Sequence, residues 1–290
     1  MKTQKSFQNP EDQQGELYIV PTPIGNLEDI TYRALRILGE VDEIAAEDTR
    51  QTKKLLTHFD LHTPLTSYHE HNKFNREAHL LEALQNGKKI AIVSDAGMPG
   101  VSDPGFEIVK RAIEEDISVI VLPGANAALC ALVGSGLDTT RFSFYGFLPR
   151  KKKDRKEELE RLSKSAQTLV FYESPHRLKE MLKALHEGFG DRQVVLAREL
   201  TKKYEEYIRG TASEVLDWAQ SEQVRGEFCI IVEGSTGEEE DSETNWWDNL
   251  SLEEHVERYI EEGKSSKDSI KQVALDRKIS KRDVYQAYHT

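Results

Sequence analysis

Four stretches of the chain gather residues able to move protons, hold anions or expose backbone to a ligand. Glu47-Asp48-Thr49-Arg50, Glu173-Ser174-Pro175-His176-Arg177 and Arg198-Glu199-Leu200-Thr201-Lys202 each set carboxylates beside a guanidinium or ammonium group. One member of such a set can accept a proton while another holds a phosphate or a developing oxyanion. The fourth stretch, Ser94-Asp95-Ala96-Gly97-Met98-Pro99-Gly100-Val101-Ser102-Asp103-Pro104-Gly105, carries few bulky side chains, so a ligand can approach its backbone. Its twelve residues exceed what an ordinary strand-to-helix connection needs. The chain contains neither G-x-G-x-x-G nor G-x-x-x-x-G-K-[ST], so the usual dinucleotide and Walker-type phosphate cradles are missing. Plainer roles stand beside these: the glycines and prolines can simply turn the chain, and Glu47-Asp48 can be a helix N-cap with a solvated neighbour.

The flanking residues say what must position these stretches. Ile90 to Val93 is too short and too continuously apolar for a surface helix, so it reads as a strand buried on both faces of a parallel sheet. The long loop leaves its carboxyl end, where open parallel sheets bind ligands. Asp103-Pro104 predicts the cap and first turn of a helix that carries Phe106, Val109 and Ile113 on one face. Ile117 to Leu122 then returns as a second buried strand. Before this unit, Leu17 to Val20 leads into Pro21-Thr22-Pro23-Ile24-Gly25-Asn26-Leu27, a helix ends near Gly39, and Glu43 to Glu47 is a strand. Helices about 52–58 and 75–85 bracket a strand about 65–68. Strand and helix thus alternate in the pattern of a doubly wound sheet.

Ala125 to Leu137, small and apolar, predicts a buried helix leading into a second α/β region. Its strands are expected at 142–147, 168–172, 194–197, 204–210 and 228–232, forming a mixed sheet. Arg150-Lys151-Lys152-Lys153-Asp154-Arg155-Lys156 opens a helix there. It is a dense positive cluster beside a strand end, open to phosphate contact or to a role as a solvated helix face. The expected organisation is a flexible N-terminus (1–16), an N-terminal α/β domain (17–124), a C-terminal α/β domain (125–234), an acidic linker (235–247) and a helical module (248–290). Three short helices in that module, with Val256, Tyr259, Ile260, Ile270, Val273, Ala274, Leu275, Val284, Tyr285 and Tyr288 as its core, resemble a helix-turn-helix. Lys264, Lys267, Lys271, Lys278, Lys281 and Arg282 make a nucleic-acid contact one option and a packing appendage the other.

Bulk properties narrow the classes. With 290 residues the chain has room for more than one core. A net charge of -12 argues against nonspecific nucleic-acid binding, though not against a local basic patch. No apolar stretch approaches the ~20 residues of a membrane span, and the polar N-terminus has no apolar signal core. Cys130 and Cys229 lie in apolar runs without zinc spacing and read as small buried hydrophobes in a reducing compartment. A soluble, cytoplasmic protein without a metal is expected.

Taken together and in order, the 21–27 loop, Glu47-Asp48-Thr49-Arg50, the 94–105 loop, Phe171-Tyr172-Glu173-Ser174-Pro175-His176-Arg177 and Arg198 to Lys202 resemble the tetrapyrrole-methylase superfamily. The likeness is greatest to its branch acting on small-subunit ribosomal RNA, and it spans about 17–234 and the C-terminal helices. Where tetrapyrrole methylases carry Gly-Asp-Pro, this chain has Ser94-Asp95-Ala96, which argues against a porphyrinoid substrate. The resemblance implies two α/β domains with S-adenosylmethionine in the cleft between them. It also implies a homodimer and transfer of methyl to the 2′-hydroxyl of a cytidine in 16S rRNA near the decoding centre, either naked or in the 30S subunit. On that reading Pro23, Ser94, Asp95, Ala96, Gly97, Val101, Ala125, Tyr172 and Leu200 bind the cofactor. Glu47, Asp48, Glu173 and Glu199, with His176, are candidate bases, and no one of them is singled out. Arg50, Lys151, Lys152, Lys153, Arg177, Arg198 and Lys202 are candidate RNA contacts. A small-molecule tetrapyrrole methylase and a non-catalytic RNA-binding assembly factor remain the alternatives.

Overall fold

The structure, a computed structural model, describes residues 3, 4, 6, 15–70, 72–237, 246, 247, 250–277 and 279–289, without the side chains of 73–75. The chain gathers into two compact units, Met1–Ser235 and Thr236–Thr290.

The first unit opens with five parallel strands, β1 (Glu16–Ile19), β2 (Glu43–Ala46), β3 (Leu65–Ser67), β4 (Lys89–Val93) and β5 (Ser118–Val121), in the order β3-β2-β4-β1-β5. Ile90, Ala91, Ile92 and Val93 are all buried, as a continuous apolar run in a central parallel strand requires. Helices α1 (Tyr32–Glu40), α2 (Thr49–His58), α3 (Lys73–Gln85) and α4 (Phe106–Glu114) connect these strands. Leu17, Ile19, Ile90 and Ile92 pack towards one layer of the core and Tyr18, Val20, Ala91 and Val93 towards the other, the period-two signature of a sheet covered on both faces.

Several details depart from the sequence reading. Gly105, at φ 145°, caps α4, so Asp103 is released from that role. The face α4 buries is Ile108 and Ala112, whereas Phe106 and Ile113 are 65% and 47% exposed. β5 is an edge strand with Val121 facing outward. Gly39 lies inside α1 and does not end it. In the N-terminal stretch Gln4 exchanges hydrogen bonds with the backbone of Val119, and Glu16 already belongs to β1; residues 7–14 lie outside the described residues.

Helix α5 (Ala127–Ser135) is capped by the Asn126 side chain, which accepts from the Leu129 N–H, and leads to a second sheet. Only one side of α5 is buried: Ala128, Ala131 and Leu132 face the core, while Leu129, Cys130 and Val133 are exposed. Cys229 is the buried cysteine of the two. The second sheet, β6 (Phe142–Phe147), β7 (Thr168–Glu173), β10 (Phe228–Val232), β8 (Gln193–Arg198) and β9 (Glu206–Thr211), is mixed. β6 and β7 are parallel, and β10 runs antiparallel to both β7 and β8. Helices α6 (Lys152–Leu162), α7 (Leu178–Phe189) and α8 (Ala212–Ser221) complete this half.

In the second unit, α9 (Leu252–Glu261), α10 (Ser266–Asp276) and α11 (Lys281–His289) close around Val256, Ile270, Val273, Ala274 and Val284. Leu275 and Tyr285, expected in this core, are exposed. The acidic run 238–241 and Lys278 lie outside the described residues. Trp246 and Trp247, counted with the linker from composition, pack against His255 of α9.

Candidate functional site

The loops that leave β1, β2, β4 and β8, the carboxyl ends of β6 and β7, and the segments entering α5 and β10 enclose a cavity of about 490 Å³ in the first unit. Two of these loops are joined by backbone. The Thr22 N–H donates to the Gly97 carbonyl and the Gly97 N–H to Thr22, each at 2.9 Å, and Thr22 Oγ1 donates to the Ser94 carbonyl. Gly97 sits at φ +80°, where a side chain would be strained; a Cβ there would also come within 3.4 Å of Ile24. The bridge therefore requires glycine and fixes the 94–101 backbone as one wall. Opposite it, Gly226 also has a positive φ, and a Cβ on it would meet the Glu199 carboxylate at 2.7 Å. Ser102, Glu199 and Thr201 hold left-handed backbone without being glycine, a concentration of strain typical of functional loops.

The lining is acidic. Glu47, Asp95, Asp103, Glu173, Glu199 and Glu227 border the cavity, and among the described residues Lys202 is the single lysine or arginine in the lining. Lys202 Nζ donates to Glu199 Oε1 at 3.1 Å. Burial, followed by the charge of Glu47, pushes the Asp103 carboxyl up to about 7, against a lowering hydrogen bond from Ser94. Burial likewise raises Glu47 and Asp95 above the ordinary carboxylate range. Apolar walls are supplied by Ile24, Met98, Ala197, Leu200 and Phe228. The Tyr172 ring stands edge-on to Phe144 and Phe147, and its hydroxyl is pushed up by burial. Cys229, pushed up to about 12 by burial, is a thiol and no nucleophile.

The residues singled out in the sequence divide into those at the cavity and those beside it. Glu47, Asp95, Ala96, Gly97, Val101, Tyr172, Glu173, Glu199, Leu200 and Lys202 line it. Ser94 is buried beneath the loop, while Pro23 and Ala125 flank the lining residues Ile24 and Asn126. Asp48 caps α2 and binds the Arg50 guanidinium, which draws its carboxyl down to about 2. Glu173 is 1% exposed, and its Oε2 lies 3.3 Å from the Arg177 guanidinium, which also donates to the Leu148 carbonyl. Arg198 is bound to Glu206 and stacked over Trp218. His176 is exposed and outside the lining. Lys151, Lys152 and Lys153 are exposed at the start of α6, Lys153 near Glu157 at 3.7 Å, whereas Arg155 turns inward to Glu180.

Sequence reasoning missed Asp103, Asn126, Phe147 and the 226–229 segment. Asp103 lies within the long loop, where Pro104 after it makes a helix cap an equally good explanation, and Asn126 follows Pro123-Gly124 at a strand end, where open parallel sheets bind ligands. Among the described residues no group of His, Cys, Asp or Glu is arranged to hold a metal, and no helix is long and apolar enough to cross a membrane.

Known proteins share this architecture. The family profile of the Tetrapyrrole (Corrin/Porphyrin) Methylases matches residues 16–216. A Ribosomal RNA small subunit methyltransferase I from Bacillus subtilis (strain 168) is 57% identical over 289 residues, covering 100% of this chain and 99% of the relative. Its namesake from Streptococcus pyogenes serotype M1 is 45% identical over the same shares of each chain. Among solved structures, cobalt precorrin-4 methyltransferase superposes with a TM-score of 0.58 at 18% identity, covering 75% of this chain and 94% of the other. Uroporphyrin-III C-methyl transferase from Thermus thermophilus, complexed with S-adenyl homocysteine, gives 0.55 at 19% identity, covering 76% and 97%. At such identities these two establish the shared fold.

Proposed function

Because the chain belongs to the tetrapyrrole methylases and, within them, to the ribosomal RNA small subunit methyltransferase I family, we propose that it transfers the methyl group of S-adenosylmethionine to ribosomal RNA of the small subunit. The acceptor is the 2′-hydroxyl of a cytidine in 16S rRNA near the decoding centre. A ribosomal substrate puts the reaction in the cytoplasm.

The observation that carries this reading is the cavity itself. Its volume suits a ligand of cofactor size. Six carboxylates against one lysine suit a cationic ligand, and Met98, Ala197 and Leu200 offer an apolar surface to a purine. The loop 94–101 and Asn126 supply polar groups to hold the ribose and amino-acid ends. The cofactor contributes an electrophilic methyl on a sulfonium that departs as a neutral thioether, so the protein's task is to align the acceptor oxygen and take its proton. Asp103 is the best-placed acceptor for that proton. It lines the cavity half-buried, and its carboxyl is poised near neutrality. Glu47 and Asp95 then act through charge, keeping Asp103 basic. Lys202 in the lining, the exposed Arg50, and Lys151, Lys152 and Lys153 on α6 are the proposed contacts to RNA phosphate. A homodimer would cover the outward Leu129, Cys130 and Val133 of α5.

Incubating the purified protein with isotopically labelled S-adenosylmethionine and small subunits from cells lacking it tests the reading. Mass-spectrometric mapping should find the label on one cytidine ribose, and light scattering of the same preparation should give the mass of two chains. Label on a base, or none with either 30S particles or naked 16S rRNA, would overturn the assignment.

A further inference from the structure

The acidic cavity leaves one need of an RNA substrate unmet. A polyanion is repelled by six carboxylates, and Lys202 is already bonded to Glu199. Firm phosphate contacts must come from elsewhere in a chain of net charge -12.

In the helical unit α9 is predominantly acidic, while α10 and α11 carry cations and aspartates together. α9 exposes Glu253, Glu254, Glu257 and Glu261. α10 and α11 instead border a groove lined by Lys267, Ile270, Lys281, Arg282, Tyr285 and His289, with Ser266 and, among the described residues, no carboxylate. Lys267, Lys281 and Arg282 are exposed and form no ion pair among the described residues. Of the unit's other described cations, Lys271 is exposed outside the groove lining and three are engaged. Arg277 donates to the carbonyls of Trp247 and Leu250, Arg258 faces Glu261, and Lys264 stands 3.8 Å over the Tyr259 ring. The nearby Asp268 accepts from the Ser265 hydroxyl at 2.6 Å, and Asp283 stays outside the groove lining. Between the cations Tyr285 is 58% exposed, its ring 4.4 Å from that of His289. Free cations interleaved with an exposed aromatic ring are what an unpaired RNA strand engages, through its phosphates and by stacking of a base.

We infer that this face of α10 and α11 binds a single-stranded stretch of ribosomal RNA, with Lys267, Lys281 and Arg282 on phosphates and Tyr285 against a base. The inference rests on the proposed rRNA substrate and adds where the polyanion is held.

The test uses the full chain carrying Lys267→Gln, Lys281→Gln and Arg282→Gln together, a second variant Tyr285→Ala, and a charge-preserving variant with Lys267→Arg, Lys281→Arg and Arg282→Lys. Binding to protein-free 16S rRNA is measured across salt concentration, alongside the KM for 30S particles and the affinity for S-adenosylmethionine. Loss of three contacts should weaken RNA binding roughly tenfold or more and flatten the log–log salt slope by about 2. The cofactor affinity should hold and the charge-preserving variant should bind as the parent does. Tyr285→Ala should weaken binding without changing the slope. An unchanged slope and KM overturn the inference. So does a loss confined to 30S particles with protein-free RNA binding intact, which would mark a ribosomal-protein contact, or a shift in oligomeric mass, which would mark a chain–chain interface. A parent protein that binds RNA with the expected slope yet transfers no methyl overturns the proposed function and leaves this inference standing.

Discussion

The two sheets of the first unit build one cavity by different rules. In the all-parallel sheet, loops leaving the carboxyl ends of β1, β2 and β4 and the segment after β5 supply Ile24, Glu47, the 95–103 residues and Asn126. That is the expected crevice of an open parallel sheet. In the mixed sheet β10 runs against its neighbours, so Phe228, at its start, pairs with Glu173 and Arg198 at the ends of β7 and β8. Gly226, Glu227 and Phe228 therefore reach the cavity from an amino end. The parallel half holds the half-buried carboxylate poised near neutrality, while the mixed half contributes mostly walls and the Glu199–Lys202 pair. On the proposed mechanism, the proton acceptor lies in the first half and the second half shapes the cavity around it.

The strongest way to break that division is Asp103→Asn. Turnover should fall about 10²–10⁴-fold with little change in cofactor affinity, and the rise in rate through pH ~7 should vanish. A folded variant with parental turnover would move the base to Glu173 or Glu199, in the mixed half. The same carboxyl makes a stability prediction. Its folded pKa of about 7 lies above the unfolded value of 3.8, so between these values the native state binds the extra proton. Its contribution is full below about pH 4 and lost as pH rises through about 7. Melting curves of Asp103→Asn should therefore lose part of the decline in stability that the parent shows over that window.

How legible this was depended on contrast in the sequence. Ile90 to Val93 announced a buried strand because a central parallel strand is apolar on both faces, and the loop after it announced itself by length. The start of β10 carried no such mark, since strand direction is a tertiary property. Ala125 to Leu137 is apolar all round, so its sequence says nothing about which side is covered, and Leu129, Cys130 and Val133 emerged outside. In α4 both Phe106–Val109–Ile113 and Ile108–Ala112 fit a helical period, and packing against the sheet selects the second. Asp103 was hidden by an equally good local explanation, the helix cap. At the acidic pair the local explanation held for one residue: Asp48 does cap α2, while Glu47 lines the cavity.

A second test sets glycine against glycine. Gly97→Leu must force a side chain into φ +80° in the bridge to Thr22, at about 1–2 kcal/mol of backbone strain before any clash. Calorimetry should show S-adenosylmethionine affinity lowered at least tenfold in a protein that still folds. Gly226→Leu carries the same backbone strain, but its close contact is the carboxylate of Glu199, the far end of a flexible side chain that can swing aside. Its effect should be several-fold smaller. Equal losses at the two sites would mean that the mixed half grips the cofactor as firmly as the parallel half.

The smallest effect is expected from the basic run on α6, the mixed half's densest positive segment. Density is not availability. Arg155 is 3% exposed and bound to Glu180, and Lys153 and Lys156 each stand 3.7 Å from a glutamate one turn on. Exposed pairs at this spacing contribute only ~0.3–0.5 kcal/mol, so Lys153 and Lys156 can exchange a glutamate for a phosphate at small cost, while Lys151 and Lys152 are exposed and form no ion pair among the described residues. Replacing Lys151, Lys152 and Lys153 by Gln should raise the KM for 30S particles about two- to threefold and flatten the salt slope by no more than about 1, with cofactor affinity unchanged. A loss as large as that of the Lys267, Lys281 and Arg282 variant would make α6 an equal partner in holding RNA. No loss at all would reduce the run to a solvated helix face, leaving Lys202 and Arg50 as the proposed phosphate contacts of the first unit.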